Sequence, residues 1–213
     1  MLSIVIQAGG QSARMGEDKA LKLFLGRPLI QRVIERLAHL ADEIIVTTNH
    51  PEDYAFLNLR LVSDLAPGRG ALGGLYTAVA AASSPIVAVA ACDMPFASAT
   101  LLETATRLLV EEEADVVIAR AAPRAGRAGK TEEGYEPFHA VYRRATCIPA
   151  IQSAIEAEQW KVIAWFPSVK VRELTPAEVA AADPSGRAFW NVNTPEEFAE
   201  AERLALESNM EKK

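Results

Sequence analysis

Cysteine is scarce in this 213-residue chain, with Cys92 and Cys147 the sole two. Standing alone, without metal-ligand spacing, they argue against a disulfide framework and a structural zinc site, and read as buried thiols in a reducing compartment. Positive charge is also short. The 22 Lys and Arg residues against 28 Asp and Glu give a net charge of −6, which argues against a dedicated nucleic-acid binder. The start, MLSIVIQAGG, has no basic leader, and its apolar stretch is too short for a signal peptide. The long uncharged run from Ala71 to Cys92 is punctuated by Gly73, Gly74, Ser83, Ser84 and Pro85. A helix followed by a buried strand explains that run better than a membrane span. The expectation is a cytoplasmic protein with no membrane and no nucleic-acid partner.

What the chain does have is ordinary globular composition, 50% hydrophobic and 23% charged. A chain of this length buries roughly 70% of its unfolded surface, so it folds without staples. Apolar runs and helical periodicities alternate along it. Leu2–Ile6 reads as a buried strand, and Pro28 as the first residue of a helix carrying Leu29, Ile30, Val33, Ile34 and Leu37. Further strands are expected at Glu43–Thr48, Leu59–Ser63, Ile86–Ala91, Asp115–Ala119 and Phe189–Val192. Helices are expected around Leu72–Val79, at Ala99–Glu111, at Cys147–Glu156, and after Thr194 as N-cap. This alternation predicts an α/β fold: one domain over residues 1–213, with a doubly wound, mostly parallel, three-layer sheet covered by helices on both faces. The polar, Gly-rich stretch 120–135 reads as a flexible surface loop, or as a flap whose Arg124, Arg127 and Lys130 meet an anion.

Ligands in such sheets bind at the carboxyl ends of the strands. Directly after the first strand comes AGGQSARMGEDK, residues 8–19. Glycines there let backbone N–H groups form an anion-binding nest, and Arg14 and Lys19 add fixed positive charge. The first 40 residues agree, with six basic side chains (Arg14, Lys19, Lys22, Arg27, Arg32, Arg36) against three acidic ones. Ala8, Gly9 and Gly10 thus open a phosphate cradle, although neither the P-loop nor the GxGxxG spacing is present. Asp93 follows a wholly apolar strand, which suits a Mg²⁺ bridged to phosphates or, alternatively, a helix cap. Asp64, at another strand end, can accept from a base amino group or a ribose hydroxyl, or form a turn. Asn191 and Asn193 alternate, so on an extended segment they share a face. His139 reads as a packed histidine, His39 and His50 as surface residues, and Trp160, Trp165 and Phe166 as core.

AGGxSxRMGxDK after the first strand resembles the signature of the nucleotidyltransferases that mature molybdenum cofactor, the guanylyltransferases in particular. GALGGL (70–75), CDMP (92–95), EPFHAVY (136–142) and NVNTPEE (191–197) are similar to further motifs of that family, in the family's order and across nearly the whole chain. The resemblance implies a Rossmann-like nucleotidyltransferase fold. It also implies transfer of GMP from GTP to the terminal phosphate of molybdopterin, with Mg²⁺ and release of pyrophosphate. Matched position by position, it places Gln7, Ala8 and Gly9 on the nucleotide, Lys19 on its phosphates, Thr47 and Asp64 on the guanosine, and Asp93 on the metal. Asn191 and Asn193 fall near the pterin, whose edge amides can read as both donor and acceptor. Lys19 and Arg14 would stabilise charge on the leaving pyrophosphate. Other cofactor-biosynthesis proteins and apo-molybdoenzymes are implied as partners. Gln7 departs from the family's usual Leu, Ala71 from Pro, and Thr47 from Asn. A cytidylyltransferase for the same cofactor, a sugar-phosphate nucleotidylyltransferase, and a non-catalytic nucleotide-binding adaptor stay open beside this reading. AGG rather than AAG favours guanine, and Lys19 with Asp93 favours catalysis.

Overall fold

The computed structural model describes residues 1–8, 18–120 and 134–210. Its centre is β1 (Leu2–Gln7), buried along its length except for the half-exposed Gln7. After it come a two-stranded ribbon, β2 (Leu23–Phe24) and β3 (Arg27–Pro28), and helix α1 (Leu29–Leu37). The ribbon turns at Leu25 and Gly26, both with positive φ (49° and 79°), which suits the right-handed twist of a tight hairpin. Strand β4 (Glu43–Thr47), the short helix α2 (Pro51–Tyr54), β5 (Arg60–Val62) and α3 (Gly70–Ala81) follow. Next are β6 (Ile86–Ala91), α4 (Ala99–Glu111), β7 (Val116–Ala119), β8 (His139–Arg143) and α5 (Arg144–Glu156). The chain continues through β9 (Val171–Leu174), α6 (Pro176–Ala182) and α7 (Pro195–Met210).

Seven strands form one sheet in the order β5-β4-β1-β6-β8-β7-β9. The β1, β4, β5 and β6 pairings are parallel, as is β7 with β9; β8 alone runs antiparallel, between β6 and β7. The sheet is therefore mostly parallel, as expected. Alternate residues of each strand point to opposite faces. Ile4, Ile6, Ala88 and Ala90 pack on one side with α1 and α4, while Val5, Val87 and Val89 pack on the other with α3 and α5. A third cluster joins Phe24, Phe96, Val192 and Phe198, tying α7 to the β2–β3 ribbon.

Several boundaries differ from the sequence expectations. Pro28 is the cap residue before α1 rather than its first residue, because it already pairs with Leu23 in the ribbon. Residues 189–192 form no strand, although the Val192 N–H bonds the Asp93 carbonyl at 3.0 Å. Helix α5 starts at Arg144, three residues before the expected Cys147. Trp165 is core, as expected, whereas Trp160 is 63% exposed with Arg69 over its ring at 5.6 Å. The expected flap residues Arg124, Arg127 and Lys130 lie outside the described residues. Among the described residues, no helix is long and apolar enough to cross a membrane.

The first turns of helix α3 pack closely against its own lead-in loop and against the end of β1, and two glycines permit it. A Cβ at Gly73 would lie 2.5 Å from the Ala66 carbonyl oxygen, and one at Gly74 would lie 2.0 Å from Gln7 Nε2. Both are far inside van der Waals contact, so a side chain at either position forces the helix or its neighbour to move.

Candidate active site

The carboxyl ends of β1, β4, β5 and β6 all open on one edge of the sheet, where Gln7, Thr47, Asp64 and Asp93 are found. After β6, the Cys92 N–H still bonds the Gln7 carbonyl at 3.1 Å, so the ladder runs one residue past the strand and delivers Asp93 to the edge. The following loop is pinned from behind. Arg32 Nε donates to the Pro95 carbonyl at 3.3 Å, Arg36 Nε to the Ala97 carbonyl at 2.8 Å, and the Ser98 N–H to His139 Nε2 at 3.0 Å. The basic excess of the first 40 residues is thus partly structural: Arg32 and Arg36 hold backbone carbonyls rather than a ligand, and burial lowers both their pKa values. His139 is buried, meets Phe189 edge-on, and is pushed down by burial to about 4. A neutral imidazole is the form that can accept from Ser98.

Two distant segments converge on Asp93. Asn191 Nδ2 donates to Asp93 Oδ1 at 2.8 Å, and Lys19 Nζ lies 3.9 Å from Asp93 Oδ2 and 3.0 Å from Asn193 Oδ1. Lys19 and Asp93 keep only 14% and 21% of their side-chain surface exposed, so their attraction is screened less than that of a surface pair. The asparagines reach inward because α7 begins immediately beside them. The Glu197 carboxylate accepts from Asn193 N–H at 2.6 Å and Thr194 N–H at 3.1 Å, and Glu197 N–H returns a bond to Thr194 Oγ1 at 3.1 Å. That reciprocal pattern is a capping box, and it leaves the two asparagines, which the resemblance matches to the pterin half, beside Asp93 and Lys19.

The part of the edge formed by Gln7 and Thr47 is more enclosed than the sequence suggests. Gln7 and Thr47 are paired in register across β1 and β4. Gln7 Oε1 and Thr47 Oγ1 are each buried without a hydrogen bond, and Thr47 is 4% exposed. Unsatisfied buried oxygens cost about 1–3 kcal/mol each unless water or a ligand supplies a partner, and these two mark polar space beneath α3. Asp64 uses Oδ1 for the Ala66 N–H at 3.0 Å and the Thr77 hydroxyl at 2.8 Å, so the turn reading of this residue holds for that oxygen. The Asp64 N–H binds Asn49 Oδ1 at 3.1 Å, a contact that the sequence offered no way to anticipate. Ala8 continues the strand, its N–H bonding the Thr47 carbonyl at 2.9 Å. Gly9, Gly10 and Arg14 lie outside the described residues.

A Mg²⁺ ion fits this donor set. Magnesium held against substrate phosphates needs one or two carboxylates and otherwise takes phosphate oxygens and water. Asp93 offers Oδ2, which has Lys19 only at 3.9 Å, while Asn191 orients the other oxygen. Cys92, one residue earlier, is no competing ligand as a thiol: burial, with Asp93 and Asp18 nearby, pushes its pKa well above the usual value.

A lysine, a metal-competent carboxylate and two amides on the open edge of a parallel sheet make a place for polyphosphates, the ground on which nucleotidyltransferases work. The comparisons narrow that class. The family model described as the MobA-like NTP transferase domain matches residues 4–171, and the chain belongs to that family of nucleotidyltransferases. It is 32% identical over 199 residues to a molybdenum cofactor guanylyltransferase of Desulfosudis oleivorans, covering 93% of each chain. It is 36% identical over 205 residues to a probable molybdenum cofactor guanylyltransferase of Pelotomaculum thermopropionicum, covering 96% of this chain and 93% of the relative. The crystal structure of molybdopterin-guanine dinucleotide biosynthesis protein A from Archaeoglobus fulgidus shares the fold, with TM-score 0.78 at 21% identity, over 96% of this chain and 99% of that one.

Proposed function

We propose that this protein transfers GMP from GTP to the terminal phosphate of molybdopterin. A phosphate oxygen of the pterin substrate attacks the α-phosphorus of GTP, forming a new P–O–P bond. The bond from that phosphorus to the α,β-bridging oxygen breaks, and pyrophosphate leaves with the electron pair. No covalent help from the protein is needed, because the nucleophile already carries negative charge; the work is positioning and charge neutralisation. The observation that carries the reading is the meeting of Lys19, Asn193 and Asp93 at 3.0 and 3.9 Å, drawn from three separate segments. The two named relatives above point the same way.

In this reading Lys19 holds the polyphosphate, with Arg14, Gly9 and Gly10 contributing from the preceding loop. Asp93 holds Mg²⁺, which when bound neutralises phosphate charge. Asn191 keeps the Asp93 carboxylate turned toward the edge, and Asn193 holds Lys19 until the phosphates replace it, leaving its amide beside the pterin. Gln7, Ala8, Thr47 and Asp64 border the guanosine. Two free thiols suit a reducing compartment, so the reaction is assigned to the cytoplasm, with cofactor-biosynthesis proteins and apo-molybdoenzymes receiving the product.

Calorimetric titration with GTP, CTP and ATP, each with Mg²⁺, tests the base assignment. Binding of GTP at least tenfold tighter than of CTP supports it. Preference for CTP moves the protein to cytidylyl transfer, and GTP binding without turnover on molybdopterin points to an adaptor.

A further inference from the structure

Lys19 is a long, flexible side chain, yet it arrives at Asn193 and Asp93 from a turn only three residues long. The backbone of that turn is held by the preceding residue. Asp18 Oδ1 accepts from the Ala20 N–H at 3.0 Å, and the Asp18 carbonyl accepts from the Leu21 N–H at 3.1 Å. The first contact closes an Asx turn around Lys19, a local bond that short acidic side chains make readily. The second carboxylate oxygen, Oδ2, accepts from the Tyr54 hydroxyl at 2.5 Å.

Tyr54 comes from the end of α2, 36 residues away, and is fully buried in the core cluster shared with Ile6, Val46 and Met94. A phenol packed on all sides has little freedom of rotation, so its hydroxyl is a fixed point rather than an adaptable one. Burial and Asp18 together raise its pKa far above the usual value, leaving it a donor at any working pH. A hydrogen bond from such a donor to an ionised carboxylate belongs to the stronger class.

We propose that Tyr54 and Asp18 form a positioning pair that fixes the Lys19 turn, so that the ammonium group is set for the polyphosphate before ligand arrives. Neither residue touches substrate. Tyr54 anchors Asp18 to the buried core, Asp18 fixes the backbone around Lys19, and Lys19 needs no ordering when nucleotide binds. The proposal rests on the reading of Lys19 as the polyphosphate ligand.

Tyr54→Phe removes the hydroxyl while keeping the ring in the core, and Lys19→Ala removes the group being positioned. GTP affinity is measured by calorimetry in the intact chain for both single variants and the double variant, with melting temperature recorded for each. The expectation is that Tyr54→Phe weakens GTP binding about tenfold in the wild-type background and less than twofold in the Lys19→Ala background, while its effect on melting is the same in both. An equal loss in the two backgrounds assigns Tyr54 to general stability and overturns the proposal, as does unchanged affinity in Tyr54→Phe alone. Unchanged affinity in Lys19→Ala overturns the Lys19 reading and the proposal together, which separates that failure from one of Tyr54 alone.

Discussion

At the scale of single residues, the proposed reaction puts its chemistry on Asp93 and Lys19, and a few neighbours determine how they are presented. Asp93→Ala is expected to lower turnover by about two orders of magnitude or more, the size of effect seen when a charged transition-state contact is lost. Its melting temperature should stay within a few degrees of wild type, since the loop is held by Arg32, Arg36 and His139 through other atoms. Steady-state kinetics and thermal melting read the two effects separately, and normal turnover would remove Asp93 from the site. The two α3 glycines make a finer contrast. Gly73→Ala drives a methyl into a backbone carbonyl, whereas Gly74→Ala meets the end of the flexible Gln7 side chain. Overpacking of this kind costs about 1–3 kcal/mol, and denaturant unfolding should find Gly73→Ala the more destabilised of the pair.

At the scale of elements, the loop between β6 and α4 depends on an imidazole that stays neutral. His139 titrates near 6.5 in the unfolded chain and is pushed down to about 4 when folded. Between those values the unfolded state holds a proton that the folded state refuses, so stability is full above pH 6.5 and falls as pH drops toward 4. The loss attributable to this group approaches about 3 kcal/mol at the low end of that window. His139→Gln should flatten the pH dependence of unfolding between pH 7 and 5, and an unchanged slope would show that His139 is not its source. Glu43 and Glu178, both held down to about 2, lose their contributions at lower pH, as pH falls through the range from 4.5 toward 2. The capping box of α7 gives a further test: Thr194→Ala should cost about 1 kcal/mol in unfolding free energy, read by denaturant unfolding.

Elements with strong periodicity were legible in the sequence. IVAVAA and the helix from Ala99 to Glu111 fall where their patterns place them, because a doubly buried strand and an amphipathic helix each leave an unambiguous signature. Strand β8 is not among the strands expected from the sequence, since five residues, HAVYR, are too short to show a clear period or direction; only the sheet shows that they run antiparallel. The β2 and β3 segments are two residues each, below the length at which alternation means anything. At the site, Lys19, Asp93 and the two asparagines could be named from their motifs. The bond from Tyr54 to Asp18 could not: it spans 36 residues, and a buried tyrosine after a strand reads as packing. The same holds for Arg32 and Arg36, whose charge suggested a ligand and whose partners are carbonyl oxygens.

At the scale of the whole molecule, one sheet edge collects residues from nearly the full length of the chain. Lys19 comes from the beginning, Asp93 from the middle and Asn193 from near the end, so the cluster exists only when the sheet and α7 are both in place. If this cluster is the proposed polyphosphate site, it binds in the folded state alone, and Mg²⁺ with GTP should raise the melting temperature in proportion to the logarithm of ligand concentration above the dissociation constant. The most direct test of the account supplies the purified protein with molybdopterin, GTP and Mg²⁺, and measures pyrophosphate released together with the mass of the pterin product. One pyrophosphate per pterin converted and a product heavier by one guanylyl group are expected, with CTP and ATP inactive. No product from GTP, or a faster reaction with CTP, would contradict it.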